Sequence, residues 1–185
     1  MIFFEHKSKI YKGNNNLFIL GTYYRKVATY MLWTKQDMQV YIKQKEYIDT
    51  AILPIIPFQL SHENDMDKST SKREVLSIFA TVIEKELSGR VLLIPNYYYL
   101  EYGDKAQEVD RLNRWTEEIQ KQPFKHVFIV TFDSSWKKFE KELEANLLWL
   151  PGFQADDLYD GKTQQLIQGQ VQDVVELIRS YWQQR

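Results

Sequence analysis

The densest run of reactive side chains is Asp133-Ser134-Ser135, a carboxylate and two hydroxyls in consecutive places at the start of a helical pattern. Serine hydroxyls and the free N–H groups of a helix N-terminus can hold a phosphate or a carboxylate. Asp and Ser are also preferred helix caps, so the first reading of Asp133 or Ser134 is the cap of the segment that follows. An aspartate here repels a phosphate unless a metal intervenes. The second group is Asn96 and Tyr98, in the run Asn96–Gly103, which holds four tyrosines and reads as a loop. Such rings can stack a base or a flavin, or cover a sheet end with their hydroxyls in water. The candidate ligand-binding residues are therefore Asn96, Tyr98, Asp133, Ser134 and Ser135. No catalytic residue, metal ligand or cofactor is assigned.

Several chemistries are excluded. The chain has no cysteine, which removes disulfides, thiolate catalysis, iron–sulfur clusters and thiolate zinc sites. His6, His62 and His126 are far apart and form no metal-binding spacing. Neither GxGxxG nor GxxxxGK[ST] occurs, so the usual phosphate cradles are missing. There is no GxSxG, and an isolated serine without a base is no nucleophile. Glu46, Asp49 and Glu101 have no basic partner placed by the sequence pattern, and Asp65 with Asp67 starts no calcium-ligand series. A net charge of −1 leaves no nucleic-acid footprint. No apolar run is long enough to span a bilayer.

The elements that must position these residues are organised around Ala51–Phe58, AILPIIPF, which is apolar on both sides of any pleat. That pattern predicts a strand buried between two layers of helices. Pro54 cannot donate to a ladder and is expected at an end, a bulge or an edge. A helix over about 34–48 precedes the strand, capped by Thr34, with Met38, Tyr41, Ile42 and Ile48 inward. Residues 59–70 are expected to be a polar loop, followed by a helix opened by the capping box Ser71-Lys72-Arg73-Glu74 and closed near a left-handed Gly89. A second strand covers Arg90–Pro95, a helix about 105–121, and a third strand His126–Phe132. A helix from Trp136, a strand Leu147–Leu150 and an acidic loop with Asp156, Asp157 and Asp160 follow. In the last helix Leu166, Ile167, Val171, Val174, Val175, Ile178 and Trp182 form one stripe. The alternation predicts an α/β three-layer sandwich: a mainly parallel sheet of about four strands with helices on both faces, Rossmann-like or flavodoxin-like. The order 2-1-3-4 is taken by analogy with such sheets, not from the residues. In such a sheet a ligand sits beyond the carboxyl ends of the strands.

Residues 1–30 do not share this patterning and carry a net charge of +4. They are expected to be a poorly ordered extension, with 31–185 as the single α/β domain and Met31 as a start site.

Lys45–Pro57, then Gly89–Pro95 with Tyr99-Leu100, then Trp115, Phe124–Phe128, Asp133 and Trp136 resemble the motif blocks of the YpiF-like family of Bacillus-type bacteria. The resemblance covers about 31–150 and implies a domain of unknown function, with no catalytic residue to carry over. The functional expectation is a non-catalytic cytoplasmic domain acting through an unidentified protein partner, without nucleic acid or a transmembrane segment. The alternative is a binder or enzyme for a small nucleotide-like or anionic ligand in the strand-end cleft.

Overall fold

The computed structural model describes residues 31–152 and 160–183. The strands are β1 (Thr50–Phe58), β2 (Val91–Leu93), β3 (Tyr97–Leu100), β4 (His126–Thr131) and β5 (Asn146–Trp149). The α-helices are α1 (Lys35–Gln44), α2 (Glu63–Glu86), α3 (Lys105–Gln120) and α4 (Gly161–Gln183). One sheet has the order β2-β1-β4-β5, with β3 also beside β1, and every pairing is parallel. The expected α/β class and the relative order of the four expected strands are both found.

The first seven residues of β1 are buried, and each face meets its own helices. Ala51, Leu53 and Ile55 pack with Tyr41 of α1, Val109 and Leu112 of α3, and Trp136. Ile52 and Ile56 pack with Leu76, Phe79 and Ile83 of α2 and Val171, Val174 and Ile178 of α4. Alternate residues therefore serve opposite cores, which is why the run shows no polar positions.

Pro54 lies inside the central strand rather than at an end. Thr50 N donates to Arg90 O, while Ile52 O and Phe58 O accept from Ile94 N and Glu101 N. Even-numbered residues thus bond toward β2 and β3, and Pro54 faces the break between those strands, where its missing donor is not needed. Pro57 faces the other side, beyond the last β1–β4 pair, Pro54 with Val130.

Four expectations need correction. The polar stretch expected as a loop over 59–70 is largely helix, since α2 starts at Glu63 and Ser71 lies within it, not at its cap. Its residues are adequate helix formers, and the first turns overhang the sheet, so no apolar stripe marks them. Gln59 closes the short connection by accepting from His62 N and donating to His62 O. The tyrosine run is strand β3, with Tyr97 and Tyr99 buried and Tyr98 and Leu100 exposed, a period of two. The segment Ser134–Glu142 is a 3-10 helix, whose larger rise per residue spans the short return from β4 to β5. Ile42 and Leu166, expected inward, are exposed. Gly89 does adopt positive φ, at 88°. Residues 1–30, Asp156 and Asp157 lie outside the described residues.

The amino end of β1 is pinned across the sheet. Arg90 forms a two-pronged bond to Asp49, at 2.6 and 3.2 Å, and lies 3.8 Å over the Trp182 ring. Trp182 Nε1 donates to Thr50 Oγ1 at 2.8 Å, tying the end of α4 to the strand.

Pro54→Ala is expected to cost about 1–2 kcal/mol, from lost ring contacts and chain stiffness alone. Leu53→Pro is expected to cost more than about 3 kcal/mol, because it deletes a donor facing β4. Urea unfolding of the two variants checks the difference.

Candidate functional site

A cleft of about 340 Å³ opens where the strands end. Its floor is Ile56 and Pro57 of β1 and Phe132 after β4, with Asp133, Ser134 and Ser135 on one wall. Lys72, Arg73 and Leu76 of α2 face them, and Glu101, Tyr102 and Lys105 complete the rim. The charged lining holds three cations against two carboxylates.

Asp133 is the centre of the wall. It caps the 3-10 helix, with Oδ1 accepting from Ser135 N at 2.9 Å. Oδ2 accepts from Tyr99 OH at 2.7 Å and lies 3.3 Å from Lys105 Nζ. Burial alone raises the Asp133 carboxyl, but the bonds from Ser135 and Tyr99 and the Lys105 charge outweigh it and hold it below the usual aspartate range. Tyr99 is 2% exposed, and burial, followed by the Asp133 charge, pushes its phenol well above the ordinary tyrosine value. Tyr99 therefore stays a donor, and both Asp133 oxygens are committed to structure. Such a carboxylate positions neighbours and has little capacity left as a general base.

The tyrosines are not simply wet covers. Tyr97 OH donates to Glu108 of α3, and burial, then that bond, pushes its phenol up to about 12. The rings of Tyr97 and Tyr99 meet Trp115 and Trp136 edge to face, at 5.5 and 5.2 Å. They lock α3 and the 3-10 helix to the sheet.

Of the five residues singled out by sequence, Asp133, Ser134 and Ser135 line the cleft. Tyr98 sits outside the lining, where its OH accepts from Arg73 Nε at 3.2 Å and so helps place that cation. Asn96 stands at the break between β2 and β3, with Nδ2 donating to Ser77 Oγ at 3.1 Å. Sequence reasoning missed Lys72, Arg73 and Lys105. The first two were hidden by the capping-box reading of Ser71–Glu74, and the polar run before it carries no apolar stripe to mark the helix that holds them.

Beside the cleft, sharing Glu101 and Tyr102 with it, is a second hollow of about 380 Å³ containing Phe58, Leu60 and Leu100. Leu60, Leu100 and Tyr102 each expose 60% or more of their surface. Among the described residues no group of acidic and histidine side chains is arranged to hold a metal, and no helix is long and apolar enough to cross a membrane.

Asp133→Ala is expected to cost about 1–2 kcal/mol through the lost cap, and Tyr99→Phe about 1 kcal/mol. A carboxyl held below its unfolded value stabilises fully above about pH 4 and loses that contribution as pH falls through the folded value. Asp133→Asn is therefore expected to shrink the loss of stability on acidification from about pH 5 to about pH 3, measured by urea unfolding at each pH.

A family model described as a protein of unknown function, DUF2487, matches residues 39–182. The chain is 25% identical over 152 residues to the uncharacterised protein YpiF of Bacillus subtilis (strain 168), across 82% of this chain and 98% of that protein. No solved structure matches.

Proposed function

This chain belongs to the DUF2487 family, and from that premise we propose that it is a non-catalytic binding domain that acts through contact with a partner protein at the carboxyl end of its sheet. The observation that carries this reading is the apolar ledge of Phe58, Leu60, Leu100 and Tyr102. Isolated exposed apolar side chains are normal, but a contiguous group rimmed by charge marks an interaction surface. Leu100 ends β3, a short strand that pairs with β1. Lys72, Arg73 and Lys105 lie next to the ledge and favour a partner segment that joins apolar and acidic side chains. The commitment of Asp133 to its cap and to Tyr99 supports binding over acid–base chemistry.

A second reading, a small anionic or nucleotide-like ligand, is favoured by the three cations of the cleft and by Ser134 and Ser135 on its wall. The cleft is open, and Asp133 is neutralised in part by Lys105 rather than facing a ligand as a bare charge.

Two sets of variants separate the readings. Leu100→Asp and Tyr102→Asp are surface changes expected to leave stability within about 0.5 kcal/mol. They are expected to abolish recovery of a specific crosslinked partner from the native cells, while Glu176→Lys on the exposed face of α4 leaves it intact. Equal recovery by all three variants refutes the ledge. A rise in Tm with inorganic phosphate or a nucleotide, lost in Lys72→Glu, establishes the ligand reading instead.

A further inference from the structure

Glu84 is the one carboxylate among the described residues with no exposed surface, and the cleft and ledge make no use of it. It lies on the buried side of α2. Its Oε1 accepts from the main-chain nitrogen of Met31 at 2.5 Å, and Met31 itself is 1% exposed. Its Oε2 is buried without a hydrogen-bond partner. Residue 31 is set firmly in place, since Leu93 N donates to Met31 O and Leu32 bridges Leu93 in parallel at the sheet edge.

A peptide N–H brings one proton and no net charge. It serves one oxygen of a carboxylate and leaves the other, and the buried charge, unanswered. The effect is visible in the acid itself: burial, and then the nearby Asp37 charge, push Glu84 up to about 7 despite the Met31 bond. An α-ammonium group at the same nitrogen brings three donors and a unit positive charge. It brings the positive charge that the buried carboxylate lacks, and two donors beyond the one that Oε1 already uses. The residue whose nitrogen meets this carboxylate is a methionine, a type that occurs only four times in 185 residues. A chain can begin at such a residue, and the bulk of Leu32 disfavours removal of an initiating methionine.

We propose that the working form of this protein begins at Met31 and that Glu84 is the buried counter-ion of the free α-ammonium group there. The site is an internal recognition point for the chain's own amino terminus, and it is independent of the strand-end surface. It makes docking of residues 31–32 on the sheet edge depend on an unblocked amine.

The test starts with protein isolated, without an added N-terminal tag, from the cells that make it. Intact mass and N-terminal sequencing are expected to read Met31 as the first residue; a chain that retains residues 1–30 overturns the proposal. In the recovered form, acylation of the α-amine at neutral pH is expected to be at least about tenfold slower in the native state than in urea, as for a paired, buried amine. Equal rates overturn it. Glu84→Gln is expected to lower Tm by about 5 °C or more and to speed acylation several-fold. A variant with unchanged labelling refutes the counter-ion role, whatever its Tm. Should Glu84→Gln fail to fold, the native-versus-urea comparison on the unaltered protein still decides.

Discussion

Burial of β1 on both faces is the constraint from which the rest of the molecule follows. A strand with no polar side can exist only where helices shield it front and back, and α2 with α4 and α1 with α3 supply those two covers. The same constraint governs its prolines. An interior strand tolerates a missing donor only where no acceptor waits, and the break between β2 and β3 provides that place for Pro54. Burial stops at the carboxyl end: Pro57 is half-buried and Phe58 exposed. The cleft and the ledge begin there, because side chains are freed from the core where the helical layers no longer meet.

The end of the sheet is held by polar contacts rather than by apolar packing alone. Tyr99 donates a hydrogen bond to Asp133, Asp133 caps the following 3-10 helix, and Lys105 at the start of α3 answers the charge. Three connections are thereby fixed by one carboxylate. At the opposite end, Asp49, Arg90, Thr50 and Trp182 make a comparable clasp. The long parallel sheet is thus tied at both ends, and α2 overhangs at one of them. That overhang carries Lys72 and Arg73 to the cleft.

Legibility differed by residue for identifiable reasons. Asp133, Ser134 and Ser135 could be placed at the end of β4 because a strand that runs directly into a capping sequence announces its own carboxyl end. Tyr98 and Asn96 were named from the same logic, yet they support Arg73 and Ser77 from outside the lining. The run Tyr97–Leu100 concealed a strand, since three β-favouring tyrosines and a leucine looked like a loop until their alternate burial appeared. Residues 63–70 concealed a helix because a segment that covers no core needs no apolar stripe.

Local composition and periodicity, taken alone, determined the α/β class, four parallel strands and the helices with a continuous buried face, while the order of the strands rested on analogy. These properties depend on which side chains must leave water, and that demand is written residue by residue. The tertiary structure alone decided the fifth strand, the early start of α2, the meeting of Lys72, Arg73 and Lys105 with Asp133, and the contact of Glu84 with Met31. All but the helix start join positions far apart in the chain, and charged or hydroxylic side chains carry no periodic mark of the distant partner they will face.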